Sequence, residues 1–430
     1  MSMTTSTQII LAVMVAAYIL VRLFRISTEL ALFFAAIAGA LAGGAGIPAR
    51  HIVEGAFTYL DIILIFVTAT LFMNLLKESG GVAYVVRGIL KRFHRRKSIL
   101  FVLITLLLLI PGALTGAGSV TVLITGGMIA VVLHYMGIAK PKAAAIIFLV
   151  AGLSAAAPPV SLWAMLTAAG VNMPYVGFFL PLLVPCVVLA LLTIFILGWK
   201  SRPVDLEKSL AELPKAPDKM NWMRVLLPFL VFFALVIAGR IGPHSLPIIG
   251  LPMMFMAAAA VTFILAPIPI NFLKISRDTL HQLLPLIGTL TCVGILVQIM
   301  TLTGVRGLIA ITIVTLPLTT VFLTLSVVLP VSEAVLMWGA APVLGVPLVL
   351  LFNTIGLNPI VALAGMSVIW PLGDGLPPTA IIGRLTKDMV EMEEPYVRML
   401  RHCIIPAVLI ILVGTLMVIF SKNLSFLTLL

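Results

Sequence analysis

Two proline pairs, Pro158-Pro159 and Pro377-Pro378, stand about half a chain apart, each inside an apolar stretch that would otherwise form one membrane helix. They are the only Pro-Pro pairs in the chain. Proline lacks the N–H that a helix needs and clashes with the preceding turn. In hydrocarbon a freed backbone group is costly, so a double break persists only where protein or a wet cavity satisfies it. Paired breaks at corresponding places in two repeats are where secondary transporters build their binding sites.

Composition sets the class. Of 430 residues, 62% are hydrophobic and 10% charged. Many apolar runs approach or exceed the ~20 residues that span a bilayer, which predicts an all-α polytopic membrane protein. The net charge of +12 is expected from basic cytoplasmic loops, and nucleic acid is not an expected partner. Cys186, Cys292 and Cys403 lie among apolar residues without a CxxC spacing and read as buried hydrophobes. Thr7–Phe24 has no basic region before it and reads as a first span rather than a signal peptide.

Further landmarks recur. Ile110-Pro111 matches Leu329-Pro330 at the same offset as the proline pairs. Pro174-Tyr175-Val176 matches Pro395-Tyr396-Val397, and Val184-Pro185 matches Ile405-Pro406, at an offset only slightly longer. Leu71–Asn74 resembles Ile295–Gln298, and a Gly-Val pair follows each. The chain therefore reads as a duplication. The first repeat is 1–199, the second 223–430, and the most polar stretch, 200–222, joins them.

In the first repeat the expected elements are scaffold spans within 7–76, an interfacial helix over 82–95, a hairpin over 98–133, a broken helix over 143–169 and a span over 175–197. The second has scaffold spans within 225–301, the second of them Leu246–Ile268, then a short segment near Val305–Val314, a hairpin over 319–352, a broken helix over 359–385 and a span over 404–420. The interfacial helix puts Val82, Val85, Val86, Ile89, Leu90 and Phe93 on one face, with Arg87, Lys91 and Arg92 off it. Hairpin arms of about a dozen residues are too short to cross, so the hairpins read as re-entrant, with tips at Pro111–Ser119 and Pro330–Glu333. Five crossings per half invert the second repeat. With both termini outside and the 200–222 linker inside, 23 of 27 basic residues fall on the cytoplasmic face. Arg240 is one of the four left outside. The expected location is the cytoplasmic (inner) membrane, and the Arg87–Lys97 cluster is expected to contact anionic membrane lipid.

Inverted symmetry brings the hairpin tips and helix breaks together. The candidate ligand groups are Thr115, Gly116, Gly118 and Ser119 at the first tip, and Ser154, Pro158, Pro159 and Ser161 at the first break. Their counterparts are Ser332 and Glu333 at the second tip, and Gly373, Asp374, Gly375, Pro377, Pro378 and Thr379 at the second break. Glycine lets backbone approach a ligand closely. Half-helix N-termini favour anions, and C-terminal carbonyls favour cations. The same small residues also serve close helix packing, the better reading for Gly39 and Gly43 in the second span.

Acids at membrane depth are functional candidates. Glu333 and Asp374 read as Na⁺ ligands or as proton carriers. The bland alternatives are a first-turn acid favoured by its helix dipole for Glu333 and a helix cap for Asp374. Asp61, near the outer end of its span, reads as solvated. His51, His94, His134, His244, His281 and His402 show no metal-ligand spacing, and no nucleotide-binding or hydrolase motif is present. An enzyme is not expected, and no cofactor beyond Na⁺ or H⁺ as coupling ion.

The tip pattern Pro111–Ser119, the Pro-Pro break that follows and the second copy resemble the large membrane subunit of tripartite ATP-independent periplasmic (TRAP) transporters, of the ion transporter superfamily. The likeness runs from Glu54-Gly55 to the C-terminus. It implies an elevator mechanism, in which hairpins and broken helices move against a fixed scaffold. It also implies Na⁺-coupled uptake of organic acids of the C4-dicarboxylate kind, an extracytoplasmic binding protein and a small membrane subunit. Carried over, the Na⁺ sites fall at Gly116, Ser119, Ser161, Ser332, Gly375 and Thr379, with Glu333 and Asp374 as acids added to that pattern. The expected function is ion-coupled transport of a small carboxylate. The alternatives are a stand-alone proton-coupled permease using Glu333 and a non-transporting membrane scaffold.

Overall fold

A computed structural model describes residues 3–241 and 249–429. The start of the expected span Leu246–Ile268, and His244, lie outside the described residues, as does the side chain of Arg240. The described chain is helical and strand-free, and nine of its helices are long and apolar enough to cross a membrane. It is a multi-pass membrane protein.

The same series of elements occurs twice. Helices Met3–Leu23, Thr28–Ala42 and Leu60–Glu78 correspond to Trp222–Ile241, Leu251–Leu265 and Phe272–Leu302. A short helix follows each set, Gly81–Phe93 and Val305–Thr315, entered through a left-handed glycine, Gly80 or Gly304. Each hairpin has a π-helical turn near the start of its second arm, Val122–Gly126 or Ala341–Gly345, at the offset that separates the proline pairs. Pro158-Pro159 and Pro377-Pro378 are both cis.

The halves interlock reciprocally. Thr28–Ala42 packs along Phe272–Leu302, and Leu251–Leu265 packs along Leu60–Glu78. On the hairpin side, Leu162–Gly170 touches the π-turn Ala341–Gly345, while Ile381–Met389 touches the π-turn Val122–Gly126. Glycines set the closest crossings. A Cβ on Gly55 would stand 2.6 Å from Ile295 Cα, and one on Gly414 would stand 2.6 Å from Gly365 O. Gly39 packs on Met14 and Gly43 on Thr303, as the packing reading expects. Gly55→Leu should therefore lower the unfolding midpoint in detergent. Overpacking typically costs ~1–3 kcal/mol, and here the obstacle is backbone.

Several boundaries differ from the sequence reading. The arms of the first hairpin are not a dozen residues long: Lys97–Thr115 has 19 and Gly118–Tyr135 has 18, each sufficient to cross, whereas in the second hairpin Leu318–Gly339 has 22 and Ala341–Thr354 is a shorter helix. Pro111 and Pro330 lie inside helices and do not end them. The first turn is at Gly116, φ +66°, within the expected tip; the second is at Met337, φ +55°, a full turn past Glu333. The third span, expected over 57–76, is the helix Leu60–Glu78, and a separate helix Ala49–Phe57 precedes it. The last span begins at Tyr396 rather than 404. Asp61 is exposed, as expected, and the three cysteines are free. The amphipathic face of Gly81–Phe93 buries Val82, Val86 and Leu90. Arg87 Nη1 donates to Leu210 O and Leu213 O of the linker at 2.8 and 3.0 Å. The linker helix Leu206–Glu212 is capped by Asp205, which accepts from Lys208 N at 3.3 Å.

Candidate functional site

The first broken helix runs Lys140–Ala156, opens at 157–161 and resumes as Leu162–Gly170. Val160 N donates to Ala113 O at 3.0 Å, so the open segment is strapped to the first hairpin arm. The arm can come this close because Gly112 faces Ser154: a Cβ there would lie 1.9 Å from Ser154 Oγ. Ser154 is already satisfied, bonding to Thr121 Oγ1 at 2.9 Å and donating to Ala151 O at 2.6 Å. Thr115 Oγ1 donates to Pro111 O at 2.7 Å, Gly118 packs on Ala151 O, and Ser119 is half-buried. These groups hold the hairpin and the break together. Gly116 sits at the turn against Phe66 and Val160. Pro158 and Pro159 face an apolar crevice.

Ser161 differs from the rest of this group. Its side chain is fully buried and its Oγ has no partner. It is the N-cap residue of Leu162–Gly170, with extended backbone. Its own N–H reaches Tyr175 Oη at 3.3 Å. Two residues on, Trp163 is also fully buried, and its indole N–H is unpaired. The first break thus presents donors: a free hydroxyl, a free indole N–H and a helix N-terminus.

The second break is rich in acceptors. The helix Pro359–Ile369 tightens into 3₁₀ turns over Trp370–Gly375, opens, and resumes as Ile381–Met389. Glu333 is 0% exposed and Asp374 2% exposed. Both Glu333 oxygens and Asp374 Oδ2 lack hydrogen-bond partners. The two acids are electrostatic neighbours, and the Trp163 indole lies beside the Glu333 carboxyl without closing a regular hydrogen bond. Gly373 makes the approach possible: a Cβ would meet Pro330 O at 2.2 Å and Glu333 Cβ at 2.5 Å. Tyr396, the repeat partner of Tyr175, donates to Gly375 O at 2.7 Å, and Gly375 itself packs on Phe148. Thr379 Oγ1 donates to Ala334 O at 2.9 Å, tying break to hairpin, and Ser332 Oγ donates to Leu329 O at 2.8 Å. Pro377 and Pro378 are exposed, unlike Pro158, which is buried.

Both bland readings of the acids fail. Glu333 occupies the last turn of Leu318–Leu336, not a first turn, so the helix dipole opposes its charge. Asp374 caps nothing: the N-cap of Ile381–Met389 is Ala380, with no side-chain cap bond. Neither acid takes part in a salt bridge among the described residues. No group of three His, Cys, Asp or Glu that could hold a metal ion occurs there either. The oxygen donors that remain, three open carboxyl oxygens with nearby backbone carbonyls, suit a proton or a hard monovalent cation.

Trp163 was missed in the sequence. Its signal was present, since it closely follows the first Pro-Pro pair and tryptophan is rare in the chain. What places it beside Glu333, which belongs to the other repeat, is contact between the halves.

No protein-family model matches the chain, and no curated protein matches it in sequence. Solved structures do. The YdaH transporter of Alcanivorax borkumensis superposes with a TM-score of 0.62 at 13% identity, over 89% of each chain. MtrF of Neisseria gonorrhoeae, described among a class of antimetabolite efflux pumps, superposes with a TM-score of 0.60 at 13% identity, over 86% of this chain and 83% of its own. Neither is described as a TRAP permease or as an enzyme, and the narrower TRAP resemblance gains no support from them. The chain has the fold of large polytopic membrane transporters.

Proposed function

We propose that the chain is a proton-coupled secondary transporter of a small organic acid. The observation that carries this reading is the sealed Glu333–Asp374 pair, without a counter-charge, set against the donor-rich first break. A buried charge needs a partner. When the site is closed, a proton or a cation must accompany the pair, and a substrate carboxylate is accommodated only with that company. In this reading the carboxylate lies at the N-terminus of Leu162–Gly170, between Ser161 Oγ and the Trp163 N–H, and Glu333 holds the proton. Protonated Glu333 then serves as a donor rather than a repelling charge. Ser161 and Trp163 orient the substrate, and Gly373 keeps the acids in register with the second hairpin.

Movement completes the proposal. The hairpins, the broken helices and the spans after them form one body, strapped together by Val160–Ala113 and Thr379–Ala334, and this body shifts against the interlocked scaffold. The two halves carry inverted topology, and the basic excess puts the 200–222 linker on the cytoplasmic side of the inner membrane.

The test is transport by the purified chain in liposomes, with a pH-sensitive dye inside. Small carboxylates are expected to move protons in Na⁺-free buffer. Na⁺-dependent uptake without proton movement would replace H⁺ by Na⁺ as coupling ion, at Ser161, Ser332, Glu333, Asp374 and Thr379. Activity of the chain alone counts against the small subunit and binding protein that the TRAP-type resemblance implies. The MtrF likeness favours a second reading, efflux, which the same liposomes separate by the direction of the gradient that drives flux.

Trp163→Phe keeps the ring and removes the N–H. It should raise the substrate KM about tenfold or more, because a hydrogen bond to a charged group contributes ~1.5–3 kcal/mol.

A further inference from the structure

An apolar crevice of about 450 Å³ opens beside the first break. This volume lies within the ~300–1,000 Å³ typical of ligand sites. Ile110, Pro111, Pro158 and Pro159 form one wall, and Phe229 and Phe233 of the helix Trp222–Ile241 form another. The one hydroxyl on its walls, Thr125, is spent on Thr121 O at 3.0 Å. A second pocket of about 440 Å³ adjoins it, lined by Arg87, Lys91 and Lys215 with a single acid, Asp218. Trp222 belongs to both. Its indole is fixed at the divide by an edge-on contact with Tyr84, centroids 5.4 Å apart, and by its seat over Gly88.

We propose that this pair of pockets is a binding site for one anionic phospholipid. The phosphate sits among Arg87, Lys91 and Lys215, the glycerol passes Trp222, and an acyl chain fills the crevice against Pro158 and Pro159. Three arguments converge. The apolar part offers nothing to a polar solute, the charged part is net positive, and the two are joined at a tryptophan, the residue enriched where hydrocarbon meets headgroup. Arg87 is held in place by its bonds to the linker carbonyls, so the basic pocket is built rather than a loose cluster. Lys91 and Lys215 are exposed at its rim and free to meet a phosphate. A free phosphate would use the basic pocket only, which leaves the crevice and its junction unexplained.

The experiment uses the full chain in nanodiscs and quenching of tryptophan fluorescence by brominated acyl chains. Brominated phosphatidylglycerol should quench more than brominated phosphatidylcholine at equal mole fraction. The excess should vanish in Trp222→Phe. The phosphatidylglycerol preference should fall by about fivefold for each of Lys91→Gln and Lys215→Gln. Unfolding midpoints of the exposed lysine variants confirm the fold. Equal quenching by the two lipids overturns the proposal, as does an excess that survives Trp222→Phe. Binding of soluble glycerol 1-phosphate to the basic pocket with no excess quenching by brominated phosphatidylglycerol overturns it in favour of a free-anion pocket. None of these outcomes depends on whether the chain transports an organic acid.

Discussion

Glu333→Gln should reduce substrate-coupled proton flux to background while leaving the protein folded. Glutamine keeps the length and shape of the side chain and removes its ability to carry a proton. The substitution is isosteric in a place where shape matters, because Gly373 packs directly on Glu333 Cβ. Folding should not suffer. An uncompensated charge in a sealed site costs several kcal/mol, and the amide never bears one. The unfolding midpoint should therefore hold or rise, and it should become less sensitive to pH. Asp374→Asn should act in the same direction but incompletely, since Glu333 remains. Because the acids interact, the double variant should resemble Glu333→Gln rather than the sum of the two. The measurement is dye-reported proton movement in liposomes on adding substrate, with and without an imposed pH gradient. Pairing it with uptake of labelled substrate separates loss of coupling from loss of binding. Unchanged flux with an unchanged pH profile in Glu333→Gln would sink the proton reading.

Much of this site was legible in the sequence because adjacent prolines leave a helix no way to continue. Pro158-Pro159 and Pro377-Pro378 both proved to be breaks. Single prolines were a weaker guide. Pro111, Pro185, Pro228, Pro285, Pro330 and Pro406 all lie inside helices, where neighbouring groups make good the missing bond. Taking Pro111 and Pro330 as tips shortened the hairpin arms and made Glu333 a tip residue rather than a last-turn one. The π-turns at Val122–Gly126 and Ala341–Gly345 left no readable trace, since one extra residue in a turn barely disturbs an apolar run. The roles of the hydroxyls also required the structure. Thr115, Ser154, Ser332 and Thr379 all donate to backbone carbonyls, whereas Ser161 alone among the predicted hydroxyls is buried without a partner. A sequence shows that an oxygen exists, but not whether it is spent.

Gly373→Ala should be strongly damaging for a single added methyl. The new Cβ would stand 2.2 Å from Pro330 O and 2.9 Å from Ala334 N, with Glu333 Cβ at 2.5 Å. Backbone atoms of a hairpin arm cannot rotate away as a flexible side chain can. Either the hairpin arm Leu318–Leu336 lifts off the break, or Trp370–Gly375 unwinds. Overpacking costs ~1–3 kcal/mol in ordinary cores, and rigid obstacles put this case at the upper end. Lifting the arm also unseals Glu333 and pulls Ala334 O away from Thr379. Transport should therefore fall with stability, and Glu333 should become reachable by water-borne carboxyl reagents that leave the parent protein unmodified. Gly307→Ala is the matched control. It lies in the helix Val305–Thr315, nothing comes within 4 Å of its Cβ, and its backbone is helical. Removing a helical glycine there should add ~0.5–1 kcal/mol of stability and leave transport unchanged. If Gly373→Ala instead behaves like Gly307→Ala, the hairpin is not seated on the break, and the sealed acid pair on which the proton-coupled reading rests does not exist.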